Sequence, residues 1–550
     1  MGSKEPLGPL VAVCLTGLLL ALCGCRGLVG RVADNSSSVN HVIFMLQENR
    51  SFDSYFGMLN PYRQANNWNI GDDGIGYNVD GIDDKLTRLA NSDDEGQSFG
   101  LFKLKSTCVD DMSSAWLESY GDVNRFDFSL NRPILMDGFV HTAEGFAKAG
   151  SGDGTFTDLV GQRAMGYYDQ GILNYYYYMA SQFAVSDRWF SPVSSKSTPN
   201  RIASMTGGTT QGLVRDPFAD DKVTTPLNIE TIFQELDQHN VSWKIYYSIT
   251  VGGCTDKDGD CGPVQQSNDY PVTTFSDFSY SSQYLYQNPQ HSACNAPTVG
   301  SKQAVGDSSD AFCIDIKHIA PLNQYLSDVQ NNTLPSYAFI EAAYGSSDEH
   351  PGSGQSILEG QQQVSTLINA LMQSASWSSS VFFLSYDEPG GPFDHVPPVP
   401  AHSNDNSDPS LGTIPDISSI AVNADGYEPC LAPGGTPSLH CDLEPVDPGA
   451  SPGDAPAQKG FAAQLGFRLP NLVISPFSRR HYVSHIPMDH TAILKFVENR
   501  FINSSAHLTN RDAAQPDLLD FFDFGNVPWA TPPTPPVPNP APGACTPQDM

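Results

Sequence analysis

The sequence predicts an α/β fold, a central and mostly parallel sheet sandwiched by helices and carrying long loop insertions. Short apolar runs of strand length recur along the chain, at Val42–Leu46, Tyr337–Ile340, Val381–Ser385 and Asn471–Ile474. Helix-like runs follow them, for example HTAILKFVENRF, His490–Phe501. Strands alternating with helices point to a sheet with crossover connections. The third observation is composition. Hydrophobic residues make up 39% and aromatics 10% of the 550 residues, enough for a sizeable core, whereas 47 Gly and 42 Pro require long loops.

Taken in order, the chain opens with one Lys, an apolar stretch from about Leu10 to Leu22 and small residues, the pattern of a secretory signal over residues 1–25. The stretch is too short for a lasting membrane span. Leu22–Cys25, Leu-Cys-Gly-Cys, is similar to a bacterial lipobox, so attachment to a membrane through a lipidated Cys25 is expected, with simple cleavage as the alternative. The expected location is outside the cytoplasm: periplasmic, outer-membrane-anchored or extracellular. Residues 26–39 form a polar linker, 40–527 the main domain and 528–550 a Pro-rich extended tail. Two polar excursions interrupt the domain, near 250–310 and 397–459. Eight cysteines follow Cys25, and an even number in an exported chain suggests disulfides, with Cys254–Cys261 and Cys430–Cys441 as plausible local pairs. Thr255–Cys261 has alternating acids but neither the glycine nor the closing glutamate of a calcium loop, and reads as a solvated turn.

Lys and Arg total 29 against 61 Asp and Glu, a formal net charge of −32. Such a chain does not grip nucleic acid electrostatically. An anionic substrate would need a local positive charge, such as a bound metal ion.

The residues that end the apolar runs carry the chemistry. Val42–Leu46 leads to Glu48 and Asn49, Tyr337–Ile340 to Glu341 and SSDEHPG, and Val381–Ser385 to YDEPGGPFDH. Ligands of open α/β sheets bind beyond the carboxyl ends of the strands, so these distant acids are expected to converge. Glu48, Asn49, Asp387 and Glu388 would form a hard-oxygen shell for a divalent cation, with His350, His395 or His490 serving the metal or a leaving group. Each alone reads more simply as a helix cap or a turn; their recurrence at successive strand ends favours a site. In SPVSSKSTPNRIASMTGG, Ser191–Gly208, a hydroxyl at Ser197 or Thr198 opens a helix whose Arg201 can hold an anionic oxygen.

ENRSFDSYFG, LMDGFV, SKSTPNR, DEHPG, YDEPGGPFDHV, LVISPFS and DHTAILKFVENRF together resemble the bacterial phosphoesterase family that contains non-haemolytic phospholipase C and the AcpA-type acid phosphatases, over roughly Asn40–Phe524. The resemblance implies an alkaline-phosphatase-like fold and hydrolysis of phosphate esters or phospholipids through a phospho-enzyme. It makes Glu48, Asn49, Ser197, Asp387 and Glu388 the metal ligands and Ser197 the nucleophile, with Thr198 the lesser choice. Asn200 and Arg201 then bind substrate, His350 faces the leaving group, where an imidazole suits proton donation, and His395 and His490 serve the phosphate or its surroundings. The donor set suits Ca, Mg or Mn and does not exclude Zn. Phospholipase C-type hydrolysis is the primary expectation and acid phosphatase action on monoesters the alternative. One departure is visible: Ser114 and Tyr120 stand where relatives carry histidines, and His141 reads as a surface histidine. Ser197–Gly207 also resembles the sulfatase signature, in which the first residue becomes formylglycine, but Glu48-Asn49 replaces the Asp-Asp pair expected there. A third reading, a catalytically dead surface protein that binds through its long loops, is disfavoured by the intact nucleophile and ligands.

Overall fold

His41–Gln47 is apolar on both faces apart from its ends, the pattern of a strand covered from above and below. It lies at the centre of the sheet in a computed structural model that describes residues 36–126, 133–148, 156–208, 226–248, 274–275, 277–284, 317–342, 345–398 and 465–545, with the short pieces 1–2, 431–432 and 436–437. Nearly all of the expected signal segment, Cys25, most of the expected linker, most of the two excursions and the cysteines of the two expected local pairs lie outside the described residues.

The main sheet has six strands: β1 His41–Gln47, β2 Trp243–Tyr247, β3 Ile319–Pro321, β4 Tyr337–Glu341, β5 Ser380–Tyr386 and β6 Leu472–Ile474. Their spatial order is β6-β5-β1-β4-β2-β3. All neighbours are parallel except β6, which runs antiparallel to β5. The expected mostly parallel α/β sheet is therefore present, with β1 between the two other strands whose ends carry acids.

The helices that matter for the site are α1 Phe52–Phe56, α2 Asn174–Gln182, α3 Ser197–Met205, α4 Leu322–Asn331, α5 Ile357–Met372 and α6 Thr491–Phe501. Register decides which face each covers. Phe44 is paired with Phe339 on one side and Phe383 on the other, so three phenylalanines form a row across one face. Phe44 meets Phe339 edge-on, centroids 5.2 Å apart, and Phe383 meets Phe496 of α6 at 5.9 Å. Residues one step along point the other way: Met45, Ile340 and Tyr246 share a row, and Tyr246 packs on Tyr325 of α4. Helix α6 packs with α3 on the first face, and α4 with α5, and α5 with α2, on the second.

The Pro-rich C-terminal segment follows the surface instead of leaving it. Trp529 donates its amide to Pro476 and accepts from the indole of Trp377. Asn539 is bonded to Asn174, Gly171 and Ile172, and Cys545 forms a disulfide with Cys108.

Phe44 is fully buried at the crossing of β1 with both aromatic neighbours. Phe44→Ala should lower the unfolding free energy by about 3–5 kcal/mol, read by urea denaturation; a loss below about 1 kcal/mol would mean the row is not tightly packed.

Candidate active site

The register that aligns the phenylalanines also aligns the acids. Gln47 lies opposite Tyr386 and Leu46 opposite Glu341, so the residues just past these positions emerge side by side at the carboxyl edge. The ladder continues one step further, the Asp387 amide donating to the Gln47 carbonyl at 2.9 Å. Glu48, Glu341 and Asp387 are thereby brought together, each 1% exposed or less.

Arg201 comes to them from the opposite direction. It lies one turn into α3, and its Nη2 donates to Glu48 Oε1 at 2.7 Å and Asp387 Oδ2 at 2.9 Å, while its Nη1 pairs with Glu341. Ser197, the first residue of α3, is four positions earlier and shares the same helix face. It is buried, 7% exposed, as is Thr198 beside it.

Asn49 holds a left-handed backbone, φ 52°, which Asn tolerates better than most residues. The turn after Glu388 accommodates it: a Cβ on Gly390, itself at φ 73°, would come within 2.5 Å of Asn49 Cβ. This geometry aims the Asn49 amide. Its Nδ2 donates to Glu388 Oε1 at 2.7 Å and lies 3.0 Å from His350 Nε2. His350 Nδ1 donates to the Pro351 carbonyl, which leaves Nε2 as the acceptor. The remaining amide atom, Asn49 Oδ1, is buried without a hydrogen-bond partner among the described residues, as is Glu48 Oε2. Burial, and then the charge of Asp387, push the Glu48 carboxyl well above the usual carboxylate range.

Asn200 is engaged elsewhere. Its Oδ1 accepts from the Val193 amide and its Nδ2 donates to the Ser195 and Lys196 carbonyls, so it shapes the loop leading to Ser197. His490 is sealed between Phe44 and Trp189, with Nε2 3.3 Å from Ser385 Oγ. Burial lowers it to about 4, keeping it neutral.

His395 sits in a second charged cluster. Its Nδ1 is 2.6 Å from Asp53 Oδ2 and its Nε2 3.0 Å from Asp80 Oδ1. Asp53, Asp394 and His395 bring ligand atoms within 4.8 Å of one another, the spacing of a cation site. Arg468 already occupies that space, bonded to Asp53 at 2.8 Å and Asp394 at 2.9 Å. This cluster ties α1 to the turn after β5 and to the segment before β6.

Three residues given no ligand or catalytic role from the sequence join the site. Ser114 donates to Glu388 Oε1 at 2.7 Å, so the position that departs from the family pattern is spent on a candidate ligand. Glu341, one of the acids expected to converge, completes the carboxylate group. Asp111 stands 4.0 Å from His350 Nδ1, with no sequence signal beyond its neighbourhood to Ser114. His141, expected at the surface, is fully buried on the helix Phe139–Lys148, with its Nδ1 2.5 Å from Asp94 Oδ1.

The chain is 27% identical over 519 residues to phospholipase C B of Mycobacterium tuberculosis, which covers 92% of this chain and 80% of that protein. It is 25% identical over 515 residues to the hemolytic phospholipase C of Pseudomonas aeruginosa, covering 88% of this chain and 56% of that protein, and 26% identical over 507 residues to the non-hemolytic phospholipase C of Burkholderia pseudomallei, covering 89% and 59%. With the sheet and its acidic edge, these likenesses define a hydrolase acting on phosphoric ester bonds. The model of the phosphoesterase family matches residues 39–502, and the chain belongs to that family. Every strand of the main sheet and all the acids of the cluster fall inside the matched span.

The His395 cluster gives a pH test. Burial pulls this imidazole down, but the charge of Asp53 and hydrogen bonds to Asp53 and Asp80 outweigh it and raise it to about 9. The stabilisation is fully present below the ordinary histidine value near 6.5 and is lost as pH rises through about 9. The stability advantage of the wild type over His395→Gln, measured in urea, should shrink between pH 6 and 10; an advantage that grows with pH would contradict a charged His395.

Proposed function

We propose that the protein is a metal-dependent phospholipase C-type hydrolase that cleaves phosphodiesters through a phospho-serine formed on Ser197. The observation that carries this reading is the buried excess of acid at the strand ends: Glu48, Glu341 and Asp387 face one Arg201, and two oxygens, Glu48 Oε2 and Asn49 Oδ1, are buried without a donor among the described residues. Buried carboxylates in such numbers require further positive charge. Oxygen-only donors fit a hard divalent cation held by Glu48, Asn49 and Asp387, with Glu388 and the Ser197 hydroxyl completing the set. We place the cation here and not at Asp53, Asp394 and His395, because Arg468 supplies the charge there.

When bound, the cation lowers the pKa of the Ser197 hydroxyl and neutralises the phosphoryl oxygens. Ser197 Oγ, held at the start of α3, attacks phosphorus as its proton passes to water, and the bond to the departing alkoxide breaks. The helix N-terminus favours the negative charge that gathers on the phosphoryl oxygens. Arg201 keeps Glu48 and Asp387 oriented. Asn200 holds the 193–196 loop and with it the position of Ser197. His350 Nε2 rests on the Asn49 amide; when the ester displaces that contact, Nε2 takes a proton from water, gives it to the leaving alkoxide and recovers one from the water that later attacks the phospho-serine. Water then attacks the phospho-serine, releasing the phosphomonoester and regenerating Ser197. His395 and His490 support the architecture. The relatives' names as phospholipases C favour a phospholipid diester, and the acidic surface favours a zwitterionic or neutral headgroup over an anionic one. Export behind the N-terminal signal and anchorage through a lipidated Cys25 belong to the same reading.

Phosphatidylcholine, a nitrophenyl phosphodiester and a nitrophenyl phosphomonoester, assayed side by side with several divalent metals, test it. We expect diester cleavage that chelator abolishes and that falls at least about a thousandfold in Ser197→Ala. Full activity in that variant, or Ser197 found as formylglycine by peptide mass, would refute the nucleophile; turnover of the monoester alone would favour the phosphatase alternative. His350→Ala should lose about a hundredfold on phosphatidylcholine, whose alkoxide needs a proton, and far less on the nitrophenyl diester, whose leaving group does not.

A further inference from the structure

We infer that the Cys108–Cys545 disulfide and the C-terminal segment it fastens are positioning elements for the leaving-group side of the site. The inference rests on the role given to His350 above. His350 begins a loop reading His-Pro-Gly-Ser-Gly, and such a sequence has little stiffness of its own. Proton transfer needs the imidazole held within a fraction of an ångström of its working position. Something outside the loop must hold it.

Two neighbouring segments do so. On one side the loop lies against residues 107–111: the Gly352 amide donates to the Val109 carbonyl at 2.8 Å, the Ile357 amide to the Thr107 carbonyl at 3.0 Å, and Ser356 Oγ to Thr107 Oγ1 at 2.8 Å. The approach is so close that a Cβ on Gly352, at φ 72°, would stand 2.8 Å from Asp111 Cβ. The same segment carries Asp111 to His350 and Ser114 to Glu388. On the other side comes the C-terminus. The Cys545 amide donates to the Gly354 carbonyl at 2.9 Å, and Ala544 pairs antiparallel with Gln355. The disulfide then joins Cys545 to Cys108, Cα atoms 5.8 Å apart, closing a ring around the loop across 437 positions of sequence.

The segment reaches this ring already fixed. Asn539 accepts no freedom on the way: its amide donates to Asn174 Oδ1 at 2.9 Å, its Nδ2 to the Gly171 and Ile172 carbonyls at 2.9 Å each, and its carbonyl accepts from Gln362 Nε2 at 3.2 Å. Asn174 and Gln362 belong to α2 and α5, which pack on the sheet. The rigid body thus bears on the His350 loop through the tail, and the disulfide transmits that constraint to the segment holding Asp111 and Ser114.

A disulfide that merely stabilises the fold would, once removed, lower the melting temperature and leave chemistry in the folded protein unchanged. A positioning role shows in the dependence on leaving group. Full-length Cys108→Ala/Cys545→Ala, assayed well below its melting temperature, should lose about tenfold in kcat on a soluble short-chain phosphatidylcholine and less than about twofold on the nitrophenyl diester. Unchanged kcat on both substrates, equal losses on both, or free Cys108 and Cys545 thiols in the non-reduced wild type would overturn the inference. Should the double variant not fold, Asn539→Ala, which loosens the segment with the disulfide intact, is read by the same ratio of substrates, with a selective loss on phosphatidylcholine expected. His350→Ala separates the two readings: no selective loss there removes the role of His350 and this inference with it, whereas a selective loss there but not in the clasp variants defeats the clasp alone.

Discussion

Burying like charges side by side is the constraint to which the rest of this structure answers. Glu48, Glu341 and Asp387 end three adjacent strands, none exposed to solvent beyond 1%, with one guanidinium among them. Carboxylates so placed repel one another and have lost their hydration, which is why the Glu48 carboxyl is driven up. A sequence pays such a penalty at functional sites and seldom elsewhere. Arg201 offsets part of it, and the proposed cation would offset the remainder, since the largest local charge then reverses the logic of every neighbouring carboxyl.

Holding that arrangement requires the loops beyond β1, β4 and β5 to be tied to one another, because strands alone position only their own ends. Glu349 supplies one tie. Its carboxylate is fully surrounded by tyrosines, accepting from Tyr386 at 2.6 Å and from Tyr176, and its backbone carbonyl accepts from Arg50 Nε at 2.9 Å. Tyr386 precedes Asp387, Arg50 follows Asn49, and Glu349 precedes His350. One buried residue thus links all three strand ends through its carboxylate and its backbone carbonyl, and burial raises its carboxyl to about 7. The cluster of Arg468 with Asp53, Asp394 and His395 is the second tie, linking α1 to the far end of the turn after β5.

Much of the fold was legible because parallel strands buried on both faces leave a plain mark, a short apolar run closed by polar residues. The convergence of Glu48, Asn49, Asp387 and Glu388 could be argued from the same mark, since strand ends in one sheet share an edge. What remained hidden was set by packing between segments far apart in sequence. Nothing local to Ser114 says that its hydroxyl meets Glu388, and nothing in a Pro-rich tail says that Asn539 will be seated on α2. The histidines show the opposite limit. His395 and His490 lie in family-like motifs as His350 does, yet both nitrogens of His395 are taken by Asp53 and Asp80, and His490 lies beneath the sheet edge between aromatic rings. Motif membership identified residues that the site depends on without distinguishing those that face it from those that brace it.

The distribution of charge bears on which ester the protein takes. With 61 acids against 29 bases, the long-range field repels a dianionic monoester more strongly than a diester of one negative charge, and a choline headgroup adds a cation that the field attracts. Inside the cluster the balance is different. There Arg201 is already committed to three carboxylates, so it has little positive charge left to offer an incoming phosphate, and the attraction must come from the proposed cation and the start of α3. On the reading proposed above, field and site select in the same direction. A substrate carrying a single phosphoryl charge, and a counter-charge of its own, meets the least opposition at the surface and needs the least neutralisation at the centre, which is the profile of a zwitterionic phosphodiester.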